Sequence, residues 1–207
     1  MMLRFIALVS VAVLLSACSQ APKRTAETPG MLKAYQERET LLTARKDWTL
    51  DGRLAIHDGK DGGSGSIIWV QAGSETELRF RGALGQGAWR LQAGETGARI
   101  ELANGEVHRA SSVAELVKQQ VGWVIPVEAL SWWVRGLAQP GKQESRSLDD
   151  QGRLLKLAQA GWEVDFGKYA DLYGATVPER ITARRGKYLV KLVVRNWTLE
   201  AREPLLD

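Results

Sequence analysis

Large apolar side chains alternate with polar or small ones along the segment Trp48-Thr49-Leu50-Asp51-Gly52-Arg53-Leu54-Ala55-Ile56-His57. A period of two puts successive side chains on opposite faces of a β-strand, so this strand has one apolar and one wet face. Turn sequences such as Asp58-Gly59 and Asn104-Gly105 follow this strand and others like it. Connections this short predict an antiparallel meander rather than parallel strands joined by helices.

The alternation continues along most of the chain, with a gap in the middle. Further apolar positions in phase with a strand are Leu78, Phe80, Trp89, Leu91, Ile100, Leu102, Leu155, Leu157, Trp162, Val164, Phe166, Tyr188, Val190, Leu192 and Val194. A strand is also predicted to begin at Val177-Pro178, where proline is tolerated. The predicted class is mainly β (α+β), with a curved antiparallel sheet as its main element.

Helical patterns occupy the start and the gap. Residues 31–46 place apolar side chains on one face, interrupted by Arg38, which indicates a helix on the sheet or, alternatively, on a membrane surface. Ser112 and Glu115 have capping-box spacing at the start of a second helix. A third segment runs from Pro126 to Gly136. Its only polar stripe is Glu128, Ser131 and Arg135, so it is predicted to plug a core or to lie across a hydrophobic opening of the sheet.

The N-terminus reads as an export signal. Arg4 precedes a short apolar run, and Leu15-Ser16-Ala17-Cys18 ends it at the sole cysteine of the chain. The run is shorter than the ~20 apolar residues that a membrane-spanning helix needs. Residues 1–17 are therefore predicted to be removed. Residues 18–30 would form a lipidated N-terminus and flexible tether, and residues 31–207 a single domain.

Composition excludes several classes of function. A net charge of +4, spread without a basic block, gives no reason to expect nucleic acid as a partner. His57 and His108 are separate, and no motif suggests a metal site, a cofactor or an enzyme. Residues 62–66, Gly-Gly-Ser-Gly-Ser, lack the spacing of a nucleophile elbow and are interpreted as a glycine-rich hairpin turn.

One loop places an apolar residue where nothing nearby would bury it. Gly82-Ala83-Leu84-Gly85-Gln86-Gly87 follows a predicted strand, with Leu84 at its tip. Leu84 could fold back onto the core, or it could project and enter a bilayer. A single inserted leucine contributes only about 1.5–3 kcal/mol, which allows transient contact with a membrane but no anchoring.

Eight sequence features together resemble the LolB family of outer-membrane lipoprotein receptors of Gram-negative bacteria, over essentially the whole chain after the signal. They are Leu15-Ser16-Ala17-Cys18, Trp48-x-Leu50-x-Gly52-Arg53, Gly63-Ser64-Gly65-Ser66-x-x-Trp69, Gly82-Ala83-Leu84-Gly85-Gln86-Gly87, Gly122-Trp123-x-x-Pro126, Leu130-Ser131-Trp132-Trp133-Val134-Arg135-Gly136, Gly161-Trp162 and Pro178-Glu179-Arg180-Ile181. The first is similar to a bacterial lipobox, in which Cys18 would be the site of lipid attachment. The alternative for Cys18 is an incidental cysteine in an ordinary secreted protein.

The resemblance implies a half-closed antiparallel barrel with a helical lid over an apolar cavity. Such a protein accepts acylated lipoproteins from the periplasmic carrier LolA and inserts them into the inner leaflet of the outer membrane, facing the periplasm. The family's membrane-insertion loop corresponds to Gly82, Ala83, Leu84 and Gly85, with Ala83 where the family often has a proline. Ala138 likewise replaces an expected proline. No cofactor is implied, and a monomer is expected.

Large apolar residues in phase with the inner face or on the lid are the predicted lining of the acyl-chain cavity. They are Trp69, Phe80, Trp89, Leu91, Ile100, Leu102, Trp123, Leu130, Trp133, Trp162 and Phe166. Core packing alone is the alternative role for each of them. One alternative function is that of a structural or general lipid-binding envelope lipoprotein without transfer activity. The other is that of an envelope enzyme, but the sequence has no coherent acid–base motif.

Overall fold

A computed structural model describes residues 27–83, 87–172 and 174–199. Cys18, Leu84 and Gly85 lie outside these residues, so the predicted signal, lipidation site and loop tip are not described. The main element is one sheet of eleven antiparallel strands. Its strands are β1 (Trp48–His57), β2 (Gly62–Ala72), β3 (Glu75–Gly82), β4 (Trp89–Gly94), β5 (Gly97–Leu102), β6 (Val107–Ala110), β7 (Glu144–Leu148), β8 (Leu154–Gln159), β9 (Trp162–Leu172), β10 (Ala175–Arg185) and β11 (Tyr188–Thr198).

The order of the strands explains where the helices lie. From edge to edge it is β6-β5-β4-β3-β2-β1-β11-β10-β9-β8-β7, so two meanders meet where β1 pairs with β11. Consecutive strands β6 and β7 lie at opposite edges of the sheet. The segment between them must therefore cross from one edge to the other. It contains the helices α2 (Val113–Val121) and α3 (Val127–Trp133), and α2 packs on β5 and β6.

The first helix, α1 (Pro29–Ala44), precedes β1 and packs against β10. Thr28 caps it, because its hydroxyl accepts from the Met31 amide at 3.2 Å while the Met31 sulfur accepts from the Thr28 amide at 3.4 Å. Ser112 caps α2 through the Glu115 amide at 3.3 Å. Gly122, with a φ of +77°, ends α2 in a left-handed conformation that glycine adopts without strain.

Apolar side chains from the alternating strands and from the helices form a main core between them, beside a smaller cluster of Leu42, Leu137, Ala175 and Val177. Leu50, Leu91 and Ile100 are completely buried on the sheet, as is Trp133 on α3. Edges β6 and β7 are not paired with each other, so the sheet stays open and the helices cover one face. The predicted class, a mainly β half-barrel with a helical lid, is confirmed.

Two local predictions were wrong. Leu155, expected to face inward, is 44% exposed, while Leu154 is buried. The register of β7 with β8 shifts beside Leu148, which pairs with Leu154, so Leu155 is the extra residue of a bulge. Residues 62–66 are not a turn but the first residues of β2, where Gly65 pairs with Gly82.

Candidate functional site

The predicted cavity residues lie together on the helix-covered face of the sheet, in one core cluster. Nine of the eleven are buried, and Leu102 and Trp123 are half-buried at its margin. Trp133 of α3 and Trp162 of β9 pack near its middle, with ring centroids 6.4 Å apart. The lid therefore rests on a continuous aromatic and aliphatic surface.

Three aromatic rings meet at one end of this surface. Phe80 and Trp89 pair across β3 and β4 and stack, with centroids 5.4 Å apart and planes 18° apart. Trp123, from the connection between α2 and α3, sets its edge against both rings, at 5.0 Å and 6.1 Å. Offset stacking and edge-to-face contact are the favoured geometries for such rings.

Two glycines of β2 make room for this aromatic cluster. A Cβ at Gly63 would lie 2.8 Å from the Trp123 ring, and one at Gly65 would lie 2.7 Å from the Phe80 ring. No side chain fits at those distances without displacing its neighbour. The glycine-rich start of β2 thus serves packing between the sheet and the lid.

A groove of about 730 Å³ opens at the other end of β2 and β3, between the sheet and α3. We call it the Trp69–Arg135 groove. Trp48 and Trp69 pack at 5.4 Å there. The groove is lined by Thr43, Lys46, Trp48, Trp69, Gln71, Gly73, Ser74, Thr76, Glu95, Val113, Val127, Glu128, Ser131, Trp132, Arg135 and Gln139.

Arg135 was predicted to face water but is 92% buried, being only 8% exposed. Its Nε donates to the Ser131 carbonyl at 3.1 Å and its Nη1 to the Leu42 carbonyl at 3.2 Å. The guanidinium lies over the rings of Trp132 and Trp48, at 4.7 Å and 5.9 Å from their centroids. Burial lowers the pKa of Arg135 to about 10, so it stays protonated at neutral pH.

Arg38 was read as an interruption of the apolar face of α1, yet it is buried too. It donates to the carbonyl oxygens of Gly136 at 2.7 Å, Arg135 at 2.5 Å and Thr176 at 2.9 Å. Burial lowers its pKa, as for Arg135. Arg38 thereby ties the C-terminal end of the lid to α1 and β10.

A buried amide holds the lid at a further point. Gln159 of β8 is 2% exposed, and its Oε1 accepts from Trp133 Nε1 at 3.0 Å and from the Gln139 amide at 2.8 Å. Its Nε2 donates to the Gln139 carbonyl at 2.9 Å. Sequence analysis gave Arg38, Arg135 and Gln159 no role in holding the lid, because polar residues in amphipathic segments normally face water. The local sequence shows only that these residues are polar. It does not show their hydrogen-bond partners, which are distant in the chain.

The start of the predicted insertion loop closes the aromatic end of the sheet. Gly82 is half-buried at the end of β3, and Ala83 is exposed. A groove of about 600 Å³ borders Phe80, Trp89 and Leu102, and the rest of its lining is mainly polar, with Ser66, Arg79, Arg81, Arg90 and Glu101. Gly82 and Ala83, the described start of the loop, thus lie at the β3 end beside the aromatic cluster, away from the Trp69–Arg135 groove.

The described residues contain no group of three or more His, Cys, Asp or Glu side chains that could hold a metal ion. His57 is exposed and lies 2.8 Å from the Asp61 carbonyl, remote in the sheet from half-buried His108. In the same part of the chain, no helix combines the length and hydrophobicity needed to cross a bilayer.

Solved structures define the class. A putative outer membrane lipoprotein-sorting protein domain from Vibrio parahaemolyticus matches with a TM-score of 0.53 at 10% identity, covering 85% of this chain and 94% of that one. A LolA superfamily protein from Nitrosomonas europaea matches with a TM-score of 0.53 at 8% identity, covering 84% and 93%. At such identities the likeness concerns the fold, an open antiparallel sheet with helices over one face.

Sequence comparison narrows that class to a family. The family model for outer membrane lipoprotein LolB matches residues 46–197. Outer-membrane lipoprotein LolB of Stutzerimonas stutzeri is 34% identical over 90% of this chain and 91% of its own length. The protein of the same name from Pseudomonas fluorescens is 35% identical over 95% and 97%. The chain belongs to the LolB family of outer-membrane lipoproteins, which confirms the resemblance and the outer-membrane location that it implied.

Proposed function

We propose that this protein accepts acylated lipoproteins from the soluble periplasmic carrier LolA and inserts them into the inner leaflet of the outer membrane, without enzymatic activity. The observation that carries the proposal is the apolar face of the open sheet, which is covered by α1 and by the segment from β6 to β7. Family membership supports the same role.

The binding surface is the aromatic and aliphatic face beneath the lid. Short helices cover it: α2 has 9 residues and α3 has 7. Movement of this segment would uncover Phe80, Trp89 and Trp162 together. Acyl chains gain about 0.8 kcal/mol per CH₂ buried in such a site. Transfer from carrier to protein to bilayer therefore needs only downhill differences between apolar sites, and no nucleotide.

Cargo acceptance is the first step to test. LolA loaded with an acylated protein is mixed with the purified chain, and the distribution of cargo between the two proteins is measured. We expect cargo to move to this chain. Cargo that stays on the carrier would contradict the proposal, and failure to bind a fluorescent fatty acid as well would favour a structural lipoprotein with a filled core.

Delivery is proposed to use the loop at residues 82–85, with Leu84 entering the bilayer. Leu84→Glu is expected to spare acceptance and to block delivery to liposomes, because a carboxylate resists burial in lipid. Leu155→Glu is the matched control, since Leu155 is an exposed leucine on a bulge of β8. Equal delivery by both variants would remove Leu84 from the mechanism.

The lipid anchor is proposed to hold the protein at the outer membrane. We infer that residues 1–17 are removed, that Cys18 carries the lipid, and that a short tether links it to a single domain that follows. A Cys18→Ala form exported by an ordinary signal is expected to accept cargo but to place it less selectively among membranes. Complete loss of acceptance would make the anchor part of the binding step.

A further inference from the structure

We propose that the Trp69–Arg135 groove binds the polar linkage of the cargo lipid, namely the ester or amide carbonyl oxygens next to the acyl chains. This inference rests on the proposed function and deepens it. It separates a site for the linkage from the apolar surface that would hold the chains.

The groove offers a buried hydrogen-bond donor that lacks an acceptor. Trp69 is 4% exposed, lines the groove, and its Nε1 has no hydrogen-bond partner among the described residues. A buried donor left unpaired is unfavourable, so a ligand that supplies an acceptor binds more tightly than one that does not. Arg135 lines the same groove, and its hydrogen bonds to backbone carbonyls use Nε and Nη1.

Part of the groove wall is apolar, although most of the other lining residues are polar. Trp48, Trp69 and Trp132 line the groove together with Val113 and Val127. A solute with only polar groups would make no favourable apolar contact with these side chains. An acyl chain that ends in a carbonyl group supplies both the apolar contact and the acceptor, and the groove volume of about 730 Å³ is large enough for such a head.

The geometry favours a neutral carbonyl over an anion. A carboxylate or phosphate binds arginine best through two parallel N–H bonds. Arg135 Nε–H already donates to the Ser131 carbonyl and Nη1 to the Leu42 carbonyl, so the fork that Nε forms with a neighbouring Nη is not available for a bidentate anion. Lys46 and Arg135 are balanced by Glu95 and Glu128 in the groove, so its lining has no excess of positive charge that would select an anion.

The groove and the aromatic cluster lie at opposite ends of β2, so the linkage and the acyl chain would bind at different positions along the strands. Trp69 lies near the end of β2, whereas Gly63 and Gly65, which contact the aromatic cluster, lie near its start. Trp69 is therefore about 13 Å from Gly65 and about 20 Å from Gly63 at the rise of a β-strand. A carbonyl at Arg135 would let its acyl chain extend along the inner face toward the loop at residue 82.

The test compares two lipids of equal chain length, monopalmitoylglycerol and its hexadecyl ether analogue, which lacks the carbonyl. The full chain with Cys18→Ala is titrated with each below its critical micelle concentration. We expect the ester to bind roughly three- to tenfold more tightly than the ether, as one hydrogen bond provides. Trp69→Phe and Arg135→Leu should each reduce this ratio toward one.

Trp162→Phe is the matched control. Trp162 is also buried with an unpaired Nε1, but it does not line the groove. This substitution should change both affinities by the same factor and leave their ratio intact. If Arg135→Leu fails to fold, Trp69→Phe alone decides.

The outcomes separate this inference from the proposed function. Binding of neither lipid would contradict acyl binding itself. Equal binding of ester and ether, or an unchanged ratio in Trp69→Phe, would overturn the linkage site only. A third titration with palmitate covers the anion, and tighter binding of palmitate than of the ester, lost in Arg135→Leu, would overturn the choice of a neutral carbonyl.

Discussion

Arg38 Nη1 of α1 donates to the carbonyl oxygen of Gly136, just beyond α3, over 2.7 Å. The two residues are 98 positions apart in the chain. Because Arg38 also binds the Arg135 and Thr176 carbonyls, it fixes one end of the lid while the α2 end rests on apolar contacts. In any movement of the lid, these hydrogen bonds would hold its C-terminal end in place while the α2 end moves.

Arg38→Met should destabilise the protein by about 2–4 kcal/mol, since three buried carbonyls lose charged donors worth about 1.5–3 kcal/mol each, partly offset by the cost of burying the charge. Urea unfolding followed by tryptophan fluorescence measures the effect. Lys33→Met is the control on the same helix, because the Lys33–Glu37 pair is exposed and should matter by less than about 0.5 kcal/mol. Equal midpoints for both variants would contradict the anchoring role of Arg38.

Gly136→Ala should cost clearly more stability than Gly174→Ala. Both glycines have positive φ, +69° and +78°, so backbone strain of about 1 kcal/mol is common to both. Only at Gly136 would a Cβ collide, 2.5 Å from Arg38 Nη2 and 3.0 Å from Pro178 Cγ. The difference between the thermal unfolding midpoints of the two variants measures the cost of the steric collision. If Gly136→Ala lowers the midpoint no more than Gly174→Ala does, Arg38 can move aside.

Gln159→Leu should destabilise by about 2–4 kcal/mol, because it leaves Trp133 Nε1 and both backbone groups of Gln139 buried without partners. A double-mutant cycle with Trp133→Phe is expected to give a coupling energy of about 1 kcal/mol in equilibrium unfolding. Additive effects would mean that the two side chains do not stabilise each other.

Glu77 on the outer face predicts a pH dependence. Burial raises the pKa of Glu77, but hydrogen bonds from Arg90, Arg79 and Gln92 outweigh it and hold the pKa below 4.5. A carboxyl whose folded-state pKa is lowered stabilises the protein above its unfolded pKa, and that contribution is lost as pH falls through the folded value.

Glu77→Gln should therefore lower the free energy of unfolding by about 1 kcal/mol at pH 7, and the difference from wild type should shrink below pH 4.5. Unfolding curves from pH 7 to pH 3 measure it. Glu101→Gln, whose partner Arg99 lies 3.0 Å away at a more exposed site, should have a smaller effect. A pH-independent difference would show that the charge of Glu77 is not responsible.

Most of the architecture was predictable because the periodic spacing of apolar residues along the chain indicates strands and helices locally. Alternation identified strands on both sides of the helical middle, and the apolar circumference of residues 126–136 identified the lid. The bulge at Leu155 was missed, since one extra residue leaves the local pattern intact while shifting the register. Glycines 63 and 65 were misread for a related reason, because glycine in a strand and glycine in a turn look alike until the facing aromatic rings are known.

The sequence by itself determined the class, the family and the set of large apolar side chains that meet on one face. Only the tertiary structure decided that Arg38 and Arg135 are buried, that Gln159 holds Trp133, and that a donor-rich groove opens beside Trp69. The physical reason is distance along the chain. Each arginine finds carbonyl acceptors more than 90 residues away, as Arg38 does at Gly136 and Arg135 at Leu42, and no local pattern encodes such a pair.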